Sequence, residues 1–483
     1  MFNEKSGVSR RTFLTTSTSA SAAVASGSLA TNADLEQISG NVNTRSGPSA
    51  LRITDMRIAH SDRSMLMRLD TNQGISGYGE IRYDCSKAHG LMLKSRIIGM
   101  NPCNVAEIFR KIKKHGGVGC DGGGVSGIEV ACWDLAGKAW GVPVWQMLGG
   151  KMRDRVRLYC DTTSRPTGET MGNHLKERIA AGWTFCKMDL RPGGEDEITH
   201  THGSTAGMFT GPAPDPTANR PVWGGFADGA GAPPPNRKIP MGAYNPYGEH
   251  LFTSTFFTDK ALDWLADYCE TVRGIVGYEI PIATDHLGHL PIEAFIKYAR
   301  RLDKYNLAWY EDVVPWFYPD QLRRLKDACT TPLCTGEDVY LADGFKDLFE
   351  EQAISVVHPD LANVGGILET KKTIDLATQH GMASCIHNNN GPITLLASVH
   401  AAAGDQFLAC EYHTADVPHF LDRIRRTDRP NDPIIDRGYV TVPDGPGLGI
   451  EINMDVLKAN LHEGGLFEPT TQWDNESSFD GHM

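Results

Sequence analysis

Eight short apolar runs recur between residues 155 and 413, each closing on polar residues and followed by an amphipathic helical pattern. They read RVRLYCD (155–161), TFCKMDL (184–190), PIATDH (281–286), LAWYED (307–312), PLCTGED (332–338), ISVVHPD (354–360), ASCIHN (383–388) and FLACEYH (407–413). Strands that alternate with helices pair in parallel through right-handed crossovers, and eight such units close into a barrel. The runs end at Asp161, Lys187, Asp285, Glu311, Glu337, Asp360, His387 and Glu411. The last six of these stand 26, 26, 23, 27 and 24 residues apart, one strand–helix unit each. Strand C-termini of a parallel barrel open on one face, so these side chains are expected to meet in a single cup.

Upstream, residues 50–90 alternate apolar and polar with turn signals, which predicts an antiparallel meander. The stretch GGVSGIEVACWDLAGKAWG (123–141) repeats apolar residues at helical spacing, and Gly141 and Pro143 end it. An α+β section therefore precedes the barrel. One interval breaks the rhythm: Lys187 and Asp285 lie 98 residues apart, with a Gly/Pro-rich insert expected at about 191–256. It leaves from a strand C-terminus, so it starts at the mouth of the cup and is expected to cover it.

The 483 residues carry 47 basic against 59 acidic side chains, a net charge of −12, with no basic block. Nucleic acid and anionic membrane surfaces are poor partners for such a chain. Eleven cysteines are scattered without a CxxC pair, several within apolar runs (Cys132, Cys160, Cys186, Cys385, Cys410), and are expected to be buried thiols. The segment SRRTFL (9–14), followed by an Ala/Ser/Thr-rich run, resembles a twin-arginine export signal over residues 1–33. That resemblance places the mature protein in the periplasm or outside the cell. No later segment reaches the roughly 18 apolar residues of a membrane span.

Asp285, Glu311 and Glu337 end three consecutive strands, and three crowded carboxylates need a counter-charge. A hard divalent cation such as Mg²⁺ supplies it while leaving positions for substrate oxygens. Asp360 and His387 end the next two strands. An aspartate bonded to one imidazole nitrogen fixes the tautomer and makes the other nitrogen a general base or acid. Glu411 and Lys187 complete the rim, where a lysine can stabilise developing negative charge.

These residues, with SGIEVACWDLAGKAWGVPVWQMLGG (126–150), HPDLANVGGI (358–367) and ACEYH (409–413), resemble the mandelate racemase/muconate lactonizing enzyme group of the enolase superfamily. The resemblance spans roughly residues 50–190 and 257–460. It implies an α/β fold, a modified TIM (β/α) barrel with an N-terminal α+β capping domain. The domains would be a capping domain at 50–150, a barrel at 151–425 and a C-terminal segment at 426–483 returning to the cap. It further implies Mg²⁺ on Asp285, Glu311 and Glu337, abstraction of a proton α to a carboxylate, an Asp360–His387 base dyad, Glu411 at the electrophile position and a symmetric homo-oligomer.

Many members carry Lys-x-Lys at the second strand, the second lysine being a base on the opposite face. Here KMD (187–189) keeps Lys187 but places Asp189 there. Racemisation, which needs a base on each face, becomes the weaker expectation, and dehydration of a small-molecule sugar acid the stronger. A cycloisomerase or epimerase of a carbohydrate acid is the nearest alternative, and an exported carbohydrate-binding protein with a dead barrel a third. Candidate substrate contacts are Asp189, His289, Asn388, Arg82 and Tyr83. Arg63, His89, the remainder of the Asn388–Asn390 run, and His200, His202, Tyr244 and His250 of the insert extend the set. His286, next to Asp285, and Asp312, next to Glu311, are weaker candidates for the site, and Leu287 stands where some sugar-acid dehydratases place a second histidine.

Overall fold

The computed structural model describes residues 50–61, 64–82, 85–117, 122–190, 259–285, 291–405, 407–462 and 465–475. The export signal expected at 1–33 and the insert expected at 191–256 lie outside these residues. So do Arg63, Tyr83, His286, Leu287 and His289.

Three strands open the described chain: β1 (Ile53–Ser61), β2 (Ser64–Thr71) and β3 (Ser76–Ile81), an antiparallel meander in the order β1-β2-β3. Ile53, Met56, Ile58, Met65, Met67, Leu69 and Ile81 share an apolar cluster with Ile128, Ala131, Cys132 and Leu135 of the helix Gly123–Trp140. That helix stops at Gly141, whose φ of 74° suits the left-handed residue that commonly follows a helix. The helix lies very close to β3. A Cβ at Gly77 would strike Leu135 and the Ala131 carbonyl, and one at Gly79 would strike the Gly127 carbonyl.

The eight runs expected to be strands each contain one: β4 (Arg155–Cys160), β5 (Cys186–Asp189), β6 (Ile282–Asp285), β7 (Tyr310–Glu311), β8 (Leu333–Thr335), β9 (Val356–Val357), β10 (Ala383–Ser384) and β11 (Cys410–Tyr412). They pair in parallel in the order β10-β9-β8-β7-β6-β5-β4-β11. A parallel bridge between Ile386 and Cys410 joins the two ends, and Glu411 N–H donates to the Ile386 carbonyl at 2.8 Å. The sheet is thus a closed barrel, and the fold is the expected α/β barrel with an α+β cap.

One buried layer fills the barrel interior: Tyr159, Phe185, Ala283, Trp309, Cys334, Val356, Cys385 and Ala409, one from each strand segment. Side chains alternate along a strand with a period of two. Two residues beyond this layer come Asp161, Lys187, Asp285, Glu311, His358, His387 and Glu411, which therefore face the same axis, one storey nearer the mouth. The floor of the site is thus a packed aromatic and aliphatic plug. Cys132, Cys160, Cys186, Cys385 and Cys410 are buried free thiols, as their positions in apolar runs predict.

Beyond the barrel, β12 (Ile424–Arg426) pairs antiparallel with β14 (Ile450–Ile452), and β13 (Tyr439–Thr441) pairs antiparallel with β4. The chain then reaches the meander, where Leu461 bridges Ser61 and His462 stacks on His60. Lys94 is buried between Asp55 and Asp474 at 2.6 Å from each. No described helix is long and apolar enough to cross a membrane.

The close approach of β3 and the capping helix makes a specific demand on Gly79. Gly79→Ala is expected to destabilise the protein by about 1–3 kcal/mol, the usual cost of forcing a methyl into a packed interface. Urea or thermal unfolding measures it, and an unchanged midpoint would refute the tight contact.

Candidate active site

His387 follows β10 and Asp360 follows β9, and the two backbones form a parallel bridge. His387 Nδ1 lies 2.6 Å from Asp360 Oδ2, with both residues buried. Asp360 is itself fixed from several sides. Its Oδ1 accepts from the amides of Ala362 (2.6 Å) and Asn363 (3.2 Å), capping a short helix at Leu361–Val364, and Asn390 Nδ2 donates to both oxygens at 3.2 and 3.0 Å. With Nδ1 committed to Asp360, the nitrogen facing the cup is Nε2. It stands 3.1 Å from Glu337 Oε2 and 3.2 Å from Glu411 Oε2. Burial opposes a charged imidazole, but Glu337, Glu411 and Asp360 outweigh it and hold the ring's proton affinity well above that of ordinary histidine.

On the far side of Glu411 sits Lys187. Its Nζ is 2.7 Å from Glu411 Oε1, 2.8 Å from Glu311 Oε1 and 2.9 Å from Asp285 Oδ2. Burial disfavours the ammonium, and the three carboxylates more than restore it. Glu411 lies between the two cationic groups; burial works against its charge, yet Lys187 and His387 keep it deprotonated far below the usual carboxylate range. Its Oε2 also accepts from the Asn388 amide at 3.0 Å.

The acids outnumber these cations. Glu311, Asp312 and Glu337 each offer an oxygen within 4.8 Å of the other two. Asp285 joins Glu311 through their shared Lys187. Burial, followed by Asp285, raises the proton affinity of Glu311 and of Asp312, the latter to about 7. An all-oxygen, negatively charged and enclosed donor set fits a hard divalent cation. The sequence points to Asp285, Glu311 and Glu337, whereas the compact trio contains Asp312. The difference arises because Asp312 leaves β7 with φ of 45°, which breaks strand alternation and turns two consecutive acids toward one side. Asp312 also accepts a hydrogen bond from the Thr335 hydroxyl. Glu337 is reached in a related way, through Gly336 at φ of 138°.

Several residues beyond the sequence-derived set belong to the site. Trp309 Nε1 donates to Glu311 Oε2 at 2.7 Å. His358 Nδ1 lies 3.5 Å from Glu311 Oε1, and its Nε2 is 2.7 Å from the Tyr159 hydroxyl. Burial, then His387, keeps His358 neutral. His413 Nε2 is 3.4 Å from Asp161 Oδ2, whose other oxygen is 3.7 Å from Lys187. Period-two spacing carries the signal for both histidines, since His358 precedes Asp360 by two and His413 follows Glu411 by two. Asp189 is buried at the end of β5, in register with Asp285. Of the other expected contacts, Asn388 is buried beside Glu411, and Arg82 of the cap lies 3.6 Å from Asp338. His89 is engaged with Ser86. Asn390, expected to read substrate hydroxyls, spends its amide on Asp360 instead.

Two family models match this chain: "Mandelate racemase / muconate lactonizing enzyme, N-terminal domain" over residues 38–149 and "Enolase C-terminal domain-like" over residues 247–456. The chain belongs to the mandelate racemase/muconate lactonizing enzyme group of the enolase superfamily. It is 28% identical over 438 residues to a D-xylonate dehydratase of Haloferax volcanii, covering 87% of this chain and 92% of that protein. A D-galactonate dehydratase of Verminephrobacter eiseniae is 24% identical over 406 residues, covering 81% and 89%. Among solved structures, a mandelate racemase/muconate lactonizing enzyme-like protein from Rubrobacter xylanophilus superimposes with a TM-score of 0.69 at 28% identity, over 86% of this chain and 99% of that one. Both of these curated relatives are named as dehydratases.

The donor set can be tested without turnover. Mg²⁺ is expected to raise the melting temperature of the wild type. Glu311→Gln and Asp285→Asn are expected to lose that rise, whereas Asp312→Asn, whose carboxylate is already held by Thr335, keeps most of it. Calorimetric thermal scans with and without Mg²⁺ check this; loss in Asp312→Asn with retention in Asp285→Asn would reassign the third ligand.

Proposed function

We propose that this enzyme dehydrates a sugar acid of the aldonate or aldarate type, using Mg²⁺, to a 2-keto-3-deoxy acid. The observation that carries the proposal is the His387–Asp360 contact of 2.6 Å in the same cup as Lys187 and the acid cluster. Asp285, Glu311 and Glu337 would hold the ion, with Asp312 adjoining, and Mg²⁺ when bound would polarise the substrate carboxylate as a Lewis acid.

His387 Nε2 takes the C2 proton, and the electron pair of the C–H bond moves into the carboxylate to give an enediolate. Lys187 faces the developing negative charge, and Asp360 holds the imidazolium that forms. As the enediolate collapses, its electrons expel the C3 hydroxyl, and the proton on His387 Nε2 leaves with that hydroxyl as water. The resulting enol tautomerises to the 2-keto-3-deoxy product. Glu337 and Glu411 beside Nε2 favour the protonated ring, which suits a residue that must return its proton. Asp189 in place of a second lysine argues against exchange of protons between two faces, and so against racemisation. The relatives named for D-xylonate and D-galactonate support a polyhydroxy acid as substrate.

Screening acid sugars with Mg²⁺ for 2-keto acid formation tests the reading, and D-xylonate and D-galactonate are the first to try. Wild type is expected to release one water per turnover. His387→Asn is expected to lose about 10³-fold in kcat, within the usual range for a missing general base. A product of unchanged mass would make the enzyme an isomerase, and tight binding without turnover would make it a binding protein.

A further inference from the structure

We infer that two capping-domain carboxylates, Glu80 and Glu129, are positioning residues that set the loops carrying His387 and Asp360. The inference rests on the dyad reading given above. Both dyad residues shortly precede barrel helices: Asp360 caps the short helix Leu361–Val364 ahead of Ile367–Gln379, and His387 stands in the loop ahead of Pro392–Ala403. Each helix begins behind a glycine, Gly366 and Gly391, and neither has a capping bond from its own N-cap side chain. The first amides of a helix need acceptors, and a buried end without them is costly.

The cap supplies them. Glu129, from the helix Gly123–Trp140, accepts from Ile367 N–H at 2.8 Å through Oε2 and from Leu368 N–H at 3.1 Å through Oε1. Trp133 Nε1 donates to the same Oε1 at 2.6 Å. Glu80, from β3, accepts at Oε2 from the amide (2.8 Å) and hydroxyl (2.9 Å) of Thr394, while Ser64 Oγ donates to its other oxygen. Ile367 and Thr394 each follow their dyad residue by seven positions. A side chain at either N-cap glycine would occupy the carboxylate's place: a Cβ at Gly366 strikes Glu129, and one at Gly391 strikes both Glu80 and Ser64. Two glycines thus clear the way for two acids from another domain. Both acids are buried, at 1–2% exposure, where a carboxylate is tolerated only with donors of this kind.

The arrangement links the cap to the chemistry without substrate contact. Asp360 and His387 are 2.6 Å apart, so a small slip of either loop breaks the bond that fixes the base. Displacements of about 1 Å at a catalytic group can cost about a hundredfold in rate.

The test compares Glu80→Gln, Glu80→Ala and Gly391→Ala with wild type, all with Mg²⁺ and the best sugar acid. Two readouts are needed. Hydrogen exchange is expected to quicken in 386–396 for Glu80→Ala and Gly391→Ala, with the barrel segments around β4 to β6 unchanged. In kinetics, Glu80→Ala is expected to lower kcat about tenfold or more with KM within about threefold, and to raise the C2-deuterium isotope effect. Glu80→Gln, which keeps an acceptor for the Thr394 amide, is expected to recover most of the loss. A purely structural role would instead reduce the folded fraction and leave kcat per folded enzyme and the isotope effect as in wild type, which overturns the inference. Unchanged exchange in a folded Glu80→Ala also overturns it. If wild type turns over no sugar acid, the dehydratase reading fails, while the exchange comparison still decides whether Glu80 holds the His387 loop.

Discussion

Crowding carboxylates into one enclosed cup is possible here because a lysine and an imidazole stand among them. Lys187 lies within 2.9 Å of Asp285, Glu311 and Glu411, and His387 within 3.2 Å of Glu337, Asp360 and Glu411. Removing one partner of a buried ion pair leaves an uncompensated charge, at a cost of roughly 3–5 kcal/mol. Glu411 touches both Lys187 and His387, so the lysine cluster and the dyad form one electrostatic unit. Glu311, Asp312 and Glu337 each offer an oxygen within 4.8 Å of the other two, an acid-rich set of the kind that suits a divalent ion.

The barrel makes this unit by parity. A hydrophobic layer with one residue from each strand segment closes the axis, and on seven of the eight segments the next residue on the same side is ionisable. Charge is thereby confined to the mouth, above a dry floor that lowers the local dielectric and strengthens every interaction over it. The meander and its helix place Glu80 and Glu129 at the starts of two barrel helices. The cap thereby reaches the two loops that carry the dyad.

The chemistry is lopsided. One wall holds the imidazole, backed by Asp360 and Asn390. The wall formed by β4 and β5 holds Asp161 and Asp189, with His413 of the β11 end beside Asp161. An acid at 189 accepts hydrogen bonds from hydroxyls well and serves poorly as a base for a weakly acidic carbon proton. That asymmetry suits a reaction in which one proton is taken and then given back on the same side.

Much of this was legible in the chain itself. The eight runs and their spacing determined the closed barrel. The convergence of strand C-termini on one barrel face placed Asp161, Lys187, Asp285, Glu311, Glu337, Asp360, His387 and Glu411 in one cup, because where each strand ends is a local property. Elements joined by local hydrogen bonds, such as the helix Gly123–Trp140 with its glycine stop, were equally readable. Tertiary structure decided the rest. Asp312 joins the acids because its positive φ overrides alternation, Asn390 serves Asp360 because a loop folds back, and Glu80 and Glu129 meet amides 314 and 238 residues away. Such contacts depend on where separate domains come to rest, and no local period encodes that.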